Sequence, residues 1–572
     1  VTDANSTTTA SVLGNNVTLS VLDDVLTSTA ELTRNTQRAI AAGNIVASTL
    51  TVDANEVALV GIAAGQALAA TDADASQVVS NFGVNSLQSQ LGDVTADVSN
   101  GGFTIDVDTD VQDASTVAND ANTRVAAAYG NDASSRVSIG ATVIVAPAFE
   151  AIAATVSQQE LNADVLARAT GDSVVTTDIE DDVFDSSVST SLNTVDALAM
   201  GNRTTTSSVM VGATTISSVS TNPAGSTVFT GSDALGRSSF NAVSSQVADG
   251  TVTATLRNAA DNDSAWMETY VDDDVARSSI TSANNTLRAS ATANAGVTGV
   301  ALDATNVNTT SAVANAQVST ADVSALLGVA GTGPTTGVTG PGASAAPYAA
   351  NPFAVSVGVG ISNTSGSAVT IALAGTLTAD EAAFLSTLPG VSGAVAGGTS
   401  FILAPGAILP LANFPGLALN TDAGTGNQIL AFSSISAPAS SGTPNEGGVT
   451  LTAMGNILDS TLSVVSNLTT GAVTGNAATN TNAVTGTNIG TGSASVIATV
   501  NDAATEATAD YALSNTQGLA GTGTVLESEV FGTFAVATDL TIAEDTTNST
   551  VEVDGNTQSA AATGNTATNT TT

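Results

Sequence analysis

The stretch "NNTLRASATANAG", residues 284–296, sets Ala289, Ala291 and Ala293 at alternate positions between asparagines. A face made only of the smallest side chains, repeating every second residue, reads as a strand against which another backbone lies close. The line recurs. VLTSTAELTRNTQRAIAAGN (25–44), QDASTVANDANTRVAAAYGN (112–131), VFDSSVSTSLNTVDALAMGN (183–202) and VARSSITSANNTLRASATAN (275–294) align without a gap. So do ILDSTLSVVSNLTTGAVTGN (457–476), TEATADYALSNTQGLAGTGT (505–524) and TTNSTVEVDGNTQSAAATGN (546–565). The shared frame is Asn, usually Thr, then small residues four, six and eight further on, then usually Asn.

A helix competes for these windows. Phe184, Val188, Leu192, Val195 and Leu198 fall at helical spacing. The windows are nevertheless crowded with Thr, Ser, Val and Asn, which disfavour helix interiors. The period of two also continues past the second Asn, to Leu50 and Val52, Val137 and Ile139, and Val300 and Leu302. Strand, turn, strand is the reading adopted.

The first Asn of each window stands at 35, 122, 193, 285, 467, 515 and 556, giving gaps of 87, 71, 92, 182, 48 and 41. Several approximate multiples of about 20–24 residues, the length of one coil of three short strands and their turns. The expectation is an all-β chain, a β-solenoid of degenerate coils of about that length, with NTTSAVANAQ (308–317) as an intervening coil. Roughly 20 such coils at about 4.8 Å would stack to the order of 100 Å. The small-residue face then meets either the opposite wall of a flattened coil or a neighbouring subunit, and Asn supplies left-handed corners whose stacked amides can also bond from rung to rung.

One segment breaks the pattern. Ten of the twelve prolines lie between Pro334 and Pro444, with Phe353, Phe384, Phe401, Phe414 and Phe432, and no copy of the frame falls there. The frame resumes at VTLTAMGNILDSTL, matching VTLSVLDDVLTSTA so that Val449 aligns with Val17. Three regions follow: solenoid over 1–325, an inserted β-sandwich-like domain over 326–446, and solenoid over 447–572. FAVSVGVGI (353–361), SAVTIALAG (367–375), TSFILAPG (399–406) and QILAFSSIS (428–436) read as its strands. Thr378 with Glu381 reads as the capping box of one short helix.

The 572 residues carry a net charge of −41, with no His and no Cys. All ten basic residues are Arg, the last of them Arg288. This charge disfavours nucleic acid and anionic membranes as partners. No segment has the apolar length of a membrane span, since 401–419 contains Pro405, Pro410 and Pro415. The opening at Val1 reads as a mature, exported product with its signal cleaved. Catalysis through His, Cys or Lys is excluded by composition. A pair of carboxylates could still hydrolyse glycosides, but β-helical polysaccharide enzymes are expected to set basic residues against an anionic substrate. The chain is therefore read as not an enzyme, with no cofactor required.

Asp pairs recur at one place in the frame: Asp23 with Asp24, Asp181 with Asp182, and Asp273 with Asp274. Their oxygens at a turn form a candidate Ca²⁺ set, and the competing reading is a solvated acidic turn. Asp106, Asp108 and Asp110 imitate the start of an EF-hand loop, but Val111 and Val117 stand where that loop needs Gly and Glu.

The frame in NTQSAAATGNTATN (556–569) and NLTTGAVTGNAATN (467–480) resembles the β-strand repeats of large secreted bacterial surface proteins, adhesin-like or filament-forming β-solenoids. The resemblance implies an extracellular structural role. The expected function is a subunit of an extracellular filament or surface layer that polymerises with itself head to tail through its solenoid ends. The alternative is a cell-surface adhesin whose inserted domain binds a glycan or another cell. TATNTTT (566–572) lacks the apolar strand that follows in earlier copies, so the last coil reads as one completed by a neighbour.

Overall fold

Residues 284–296 open a 23-residue strand, Thr286–Asn308, with a parallel neighbour on each side. The computed structural model describes residues 2–572 except 4–5, 60–67, 71–75, 147–150, 171–173, 219–225, 229–231, 258–264, 328–347, 349–350, 357–359, 374, 378–381, 383–384, 387, 396, 411–413, 415–416, 433–434, 436–447, 491–493, 501–502, 521–523 and 531–536. Among these, no helix is long and apolar enough to cross a membrane.

Following one coil shows the plan. Phe240–Asp249, Thr251–Thr255, Trp266–Val271, Val275–Ala276, Ser279–Ala283 and Thr286–Asn308 succeed one another, each in a different parallel sheet, here called A to F. Each sheet takes one strand from every coil in chain order, six in all, so the chain is a β-solenoid of six coils. Sheet F is formed by Thr36–Ala58, Thr123–Ala146, Thr194–Ser218, Thr286–Asn308, Leu468–Thr485 and Thr557–Thr571, with the short Asn488–Ile489 beside Thr286–Asn308.

The coil is far longer than 20–24 residues. Corresponding asparagines of neighbouring coils stand 87, 71, 92 and 89 residues apart, and 182 where the insertion intervenes. The short gaps came from Asn515, whose window is not a copy of the frame: Tyr511–Leu519 belongs to sheet A and pairs with Ser311–Ser319. Residues 308–317 likewise enter that sheet A strand and form no coil of their own. Six coils at about 4.8 Å separate the first and last by roughly 24 Å, not 100 Å. The extent is lateral instead, since the 25 residues of Thr194–Ser218 follow roughly 80 Å of path at about 3.3 Å each.

Inside the coil, two apolar clusters flank a polar seam. One joins sheets B to E with the first half of sheet F, where Ala289, Ala291 and Ala293 are wholly buried. The other joins the second half of sheet F, including Val209, Val211, Val300 and Leu302, to the start of the sheet A strands. Glycine precedes the seam in five coils, with Ala293 in the fourth, and the walls and coils approach closely there. A Cβ on Gly130 would lie 2.6 Å from the Gly201 carbonyl oxygen and 2.8 Å from Leu161 Cδ1.

Each coil turns two corners on a left-handed residue. Arg34, Ala121, Leu192, Asn284, Ser466 and Gly555 have φ between 56° and 65°, and each immediately precedes the first Asn of the frame. Thr27, Ala114, Asp185, Arg277, Asp459 and Asn548, one corner earlier and each before a Ser, are left-handed too, with φ between 46° and 62°. The left-handed position therefore belongs to the residue before the Asn, and the Asn has another task, described below. A non-Gly residue there costs about 1–2 kcal/mol, a cost that in-register stacking offsets.

Connections from sheet F to the next sheet A strand alternate between long and short. The long ones, between coils 1 and 2, 3 and 4, and 5 and 6, contribute the strand pairs Leu68–Ala70 with Ser76–Val78, Ser226–Val228 with Ser232–Arg237, and Ala494–Val500 with Ala503–Ala509. These pair side by side into one antiparallel sheet. Two strands per hairpin, about 4.8 Å apart, match the height of two coils, so one hairpin in every second connection suffices. Ala234, Ala494, Val496 and Ala498 of this lateral sheet pack on Val156, Val243, Ala312, Ala314 and Ala316. Ser311–Ser319 is consequently buried at every residue.

The chain divides into two compact units. One holds Val1–Val329, Glu446–Phe531 and Ala535–Thr572, the other Ala330–Asn445. The insertion interrupts the fifth coil between Asp322–Leu327 of sheet B, which continues past position 325, and Gly448–Ala453 of sheet C. Val449 lies in the rank of Met267, Val175, Phe103 and Val17. Within the second unit, Phe353–Ser356, Gly360–Asn363 and Ile408–Pro410 form one antiparallel sheet, and Val369–Ala372, Ser400–Leu403 and Val391–Ser392 another. Residues 353–361, expected as one strand, thus divide between two antiparallel strands. Ala418–Thr421 pairs with Gln428–Ala431. Thr378 and Glu381 lie outside the described residues.

Candidate functional site

The asparagines of the frame form ladders through the stack. The backbone N–H groups of Asn35, Asn122, Asn193, Asn285 and Asn467 each donate to the side-chain oxygen of the next coil's Asn, ending at Asn556, over 2.9–3.0 Å. One corner earlier, the N–H groups of Ser28, Ser115, Ser186, Ser278 and Ser460 donate to the next Ser Oγ, ending at Ser549. The second Asn of the frame builds the polar seam. Asn44, Asn131, Asn202, Asn294 and Asn476 each donate Nδ2 to the Oδ1 of the next, the last being Asn565, over 2.7–2.9 Å.

Facing them across the coil, sheet A carries Gln88, Gln159, Gln246, Gln317 and Gln517. Each Nε2 after the first donates to the Oε1 of the coil before. The two ladders also bridge the walls. Asn202 Nδ2 reaches the Val247 carbonyl at 2.7 Å, and Gln159 Nε2 the Arg203 carbonyl at 2.9 Å. Amides wholly buried in this way keep their hydrogen bonds, which stacking supplies in register.

The Asp pairs sit at the corner between sheets C and D. The second Asp of a pair is a ladder rung: Asp110 Oδ1 accepts the Asp182 N–H, Asp182 Oδ1 the Asp274 N–H at 3.0 Å, and Asp274 Oδ1 the Asn456 N–H at 2.7 Å. In the first coil Asp23 Oδ1 instead accepts the Asp24 N–H at 2.9 Å. Of the six Asp residues singled out by sequence, Asp182, Asp273 and Asp274 come together, with oxygens within 4.8 Å of one another. Asp23, Asp24 and Asp181 join no such group among the described residues. A second group, Asp106, Asp108 and Glu180, lies beside the same corner one coil earlier, with Asp106 near the end of its sheet C strand. These are hard oxygen donors of the kind Ca²⁺ takes.

Stacking like charges has an electrostatic consequence. Burial, then the neighbouring Asp106, Glu180 and Asp272, raises the Asp178 carboxyl above its ordinary range. Burial also raises Asp182, with the Asp274 N–H opposing and Asp273, Asp110 and Asp274 adding to the rise. Elsewhere the coils neutralise one another across the stack. Arg203 pairs with Asp132, Arg277 with Asp185, Arg288 with Asp196 and Arg168 with Asp97. Arg124 lies inside the coil, where its guanidinium donates to Gln37 Oε1 and to the Val98 and Thr170 carbonyls, and burial lowers its pKa to about 10.

The chain matches no protein-family model, no curated protein and no solved structure. The Gln ladder and the lateral sheet were not anticipated from sequence. The Ser ladder does have a sequence signal: Ser is the fourth residue of six of the seven aligned windows, and Thr508 takes its place in the window at 505–524.

Proposed function

We propose that this chain is a structural subunit of an extracellular filament or surface layer, with the coil stack as its shaft. The observation that carries the reading is the ladder system. Asn, Ser, Gln and Asp rungs run through the coils, each ladder with a fixed polarity, and build an interior that gains from each added coil. The fold is quasi-one-dimensional, with every coil stabilised by its neighbours. The extracellular setting rests on the likeness of the Asn-Ala-Gly-Asn frame to secreted surface repeats. The test is imaging of the purified 572-residue chain by electron microscopy, with light scattering across concentration. Long unbranched fibres are expected, forming faster as salt screens the charge of −41. A monodisperse monomer at every concentration and salt level would overturn the reading.

A further inference from the structure

The first and sixth coils present faces that fit each other, and we infer that a second copy of this chain adds there with the Asn, Ser and Asp ladders kept in register. The inference rests on the filament reading and specifies its junction. On the sixth coil, the N–H groups of Asn556 and Ser549 and the Nδ2 of Asn565 occupy the positions that donate upward in every other coil. On the first coil, Asn35 Oδ1, Ser28 Oγ and Asn44 Oδ1 occupy the positions that accept. One further step of each ladder therefore joins Asn556 to Asn35, Ser549 to Ser28 and Asn565 to Asn44 of the second copy. The Asp ladder closes in the opposite sense. Asp545 offers the oxygen, and the Asp24 N–H of the second copy exchanges its local Asp23 acceptor for it.

Apolar burial agrees with this polarity. Val551 and Val553 are 45% and 53% exposed, whereas Leu462 and Val464, one coil below in the same ranks, are fully buried. Ala30 and Leu32 hold those ranks in the first coil. The strand edges match as well, because Thr557–Thr571 and Thr36–Ala58 are the two outer strands of sheet F.

The lateral sheet supplies an independent argument. Its hairpins recur every two coils, and the solenoid has six, a whole number of hairpin periods. A copy stacked in register places its Leu68–Ala70 strand beside the edge strand Ala503–Ala509, continuing the lateral sheet without a gap or a clash. An odd number of coils would break that phase.

The chain lacks cysteine, so paired Cys substitutions read the register directly. Thr557 and Thr36 face outward and hold the same rank of sheet F. The inferred junction sets their Cα atoms about 4.8 Å apart, within disulfide range. Thr36→Cys with Thr557→Cys is expected to convert assembled chain, on mild oxidation, into a reducible series of covalent multimers. Arg38→Cys with Ser559→Cys, one step along the same face, should do the same and guards against a folding defect in the first pair. Arg38→Cys with Thr557→Cys is two residues out of register, roughly 8 Å apart, and is expected to remain largely uncrosslinked. Fibres in which neither in-register pair links better than this control would overturn the junction and leave the filament reading standing. Failure to assemble at all would overturn both.

Discussion

The two units bury their interiors by opposite means. The inserted unit uses large apolar side chains: Phe353, Phe401, Phe414, Phe432, Leu385 and Ile371 form one cluster, with Phe414 and Phe432 edge to face at 5.1 Å. The solenoid packs Ala and Val beside wholly buried Asn and Gln. A compact unit gains stability from the area that each large side chain removes from water. A coil only one strand thick has little such area, and it gains specificity from groups whose partners are the same groups one coil away. The amide ladders fix register because a slip of one residue would strand every buried donor and acceptor at once.

Substitutions that separate these two kinds of core probe the difference. Phe414→Ala should cost about 3–5 kcal/mol, confined to the inserted unit. Calorimetry of the full chain should then show one transition shifted down and the solenoid transition unmoved; a joint shift of both would contradict independent cores. Asn202→Ala, in the middle of the seam, leaves Asn294 Oδ1 and the Val247 carbonyl without their amide and should cost about 2–3 kcal/mol. Chemical denaturation of the solenoid transition measures it. The same change at Asn565, on the last coil, removes a single partially exposed bond and should cost under about 1 kcal/mol in unassembled chain. Equal losses at Asn202 and Asn565 would mean that the ladder is not what holds the coils in register.

The acidic corner gives the smallest expected effect, and its sign is set by the raised carboxyls. Asp178 and Asp182 hold a proton more tightly folded than unfolded. Their contribution therefore improves as pH falls from above their folded values toward the ordinary carboxylate range, and is lost again as pH rises. Asp178→Asn should raise the melting temperature at pH 7 and flatten its rise on mild acidification. A variant melting below the parent at pH 7 would contradict the burial and like-charge cost carried by Asp178.

Strand, solenoid and insertion were all legible in the sequence, and for physical reasons. Alternating Ala289, Ala291 and Ala293 can serve only a strand with a close neighbour, and Val449 resumes the rank of Val17 because the coil pattern demands it. Coil length was not legible. The 505–524 window imitates the start of the frame with Asn515 and Thr516, since sheet A, covered by the lateral hairpins on one face and by the coil interior on the other, selects small residues just as sheet F does. Thr508 in place of the corner Ser, Leu519 in place of a small residue and Thr524 in place of the second Asn distinguish it. The left-handed corners at Arg34, Leu192 and Arg277 carry no residue signal, because the stack rather than the side chain holds them. Of the six Asp candidates, the turn position could be read, but the ladder bond that occupies Asp182 and Asp274 depends on which coils are adjacent.

The most direct test of the six-coil stack as a self-continuing shaft is the axial geometry of fibres formed by the full chain, measured by diffraction and helical reconstruction. Six coils per subunit, stacked end to end with the Asn and Ser ladders unbroken, require a strand spacing of about 4.8 Å along the axis and a rise of about 29 Å per subunit. A rise near 100 Å, or fibres whose strands do not run across the axis at that spacing, would contradict the account.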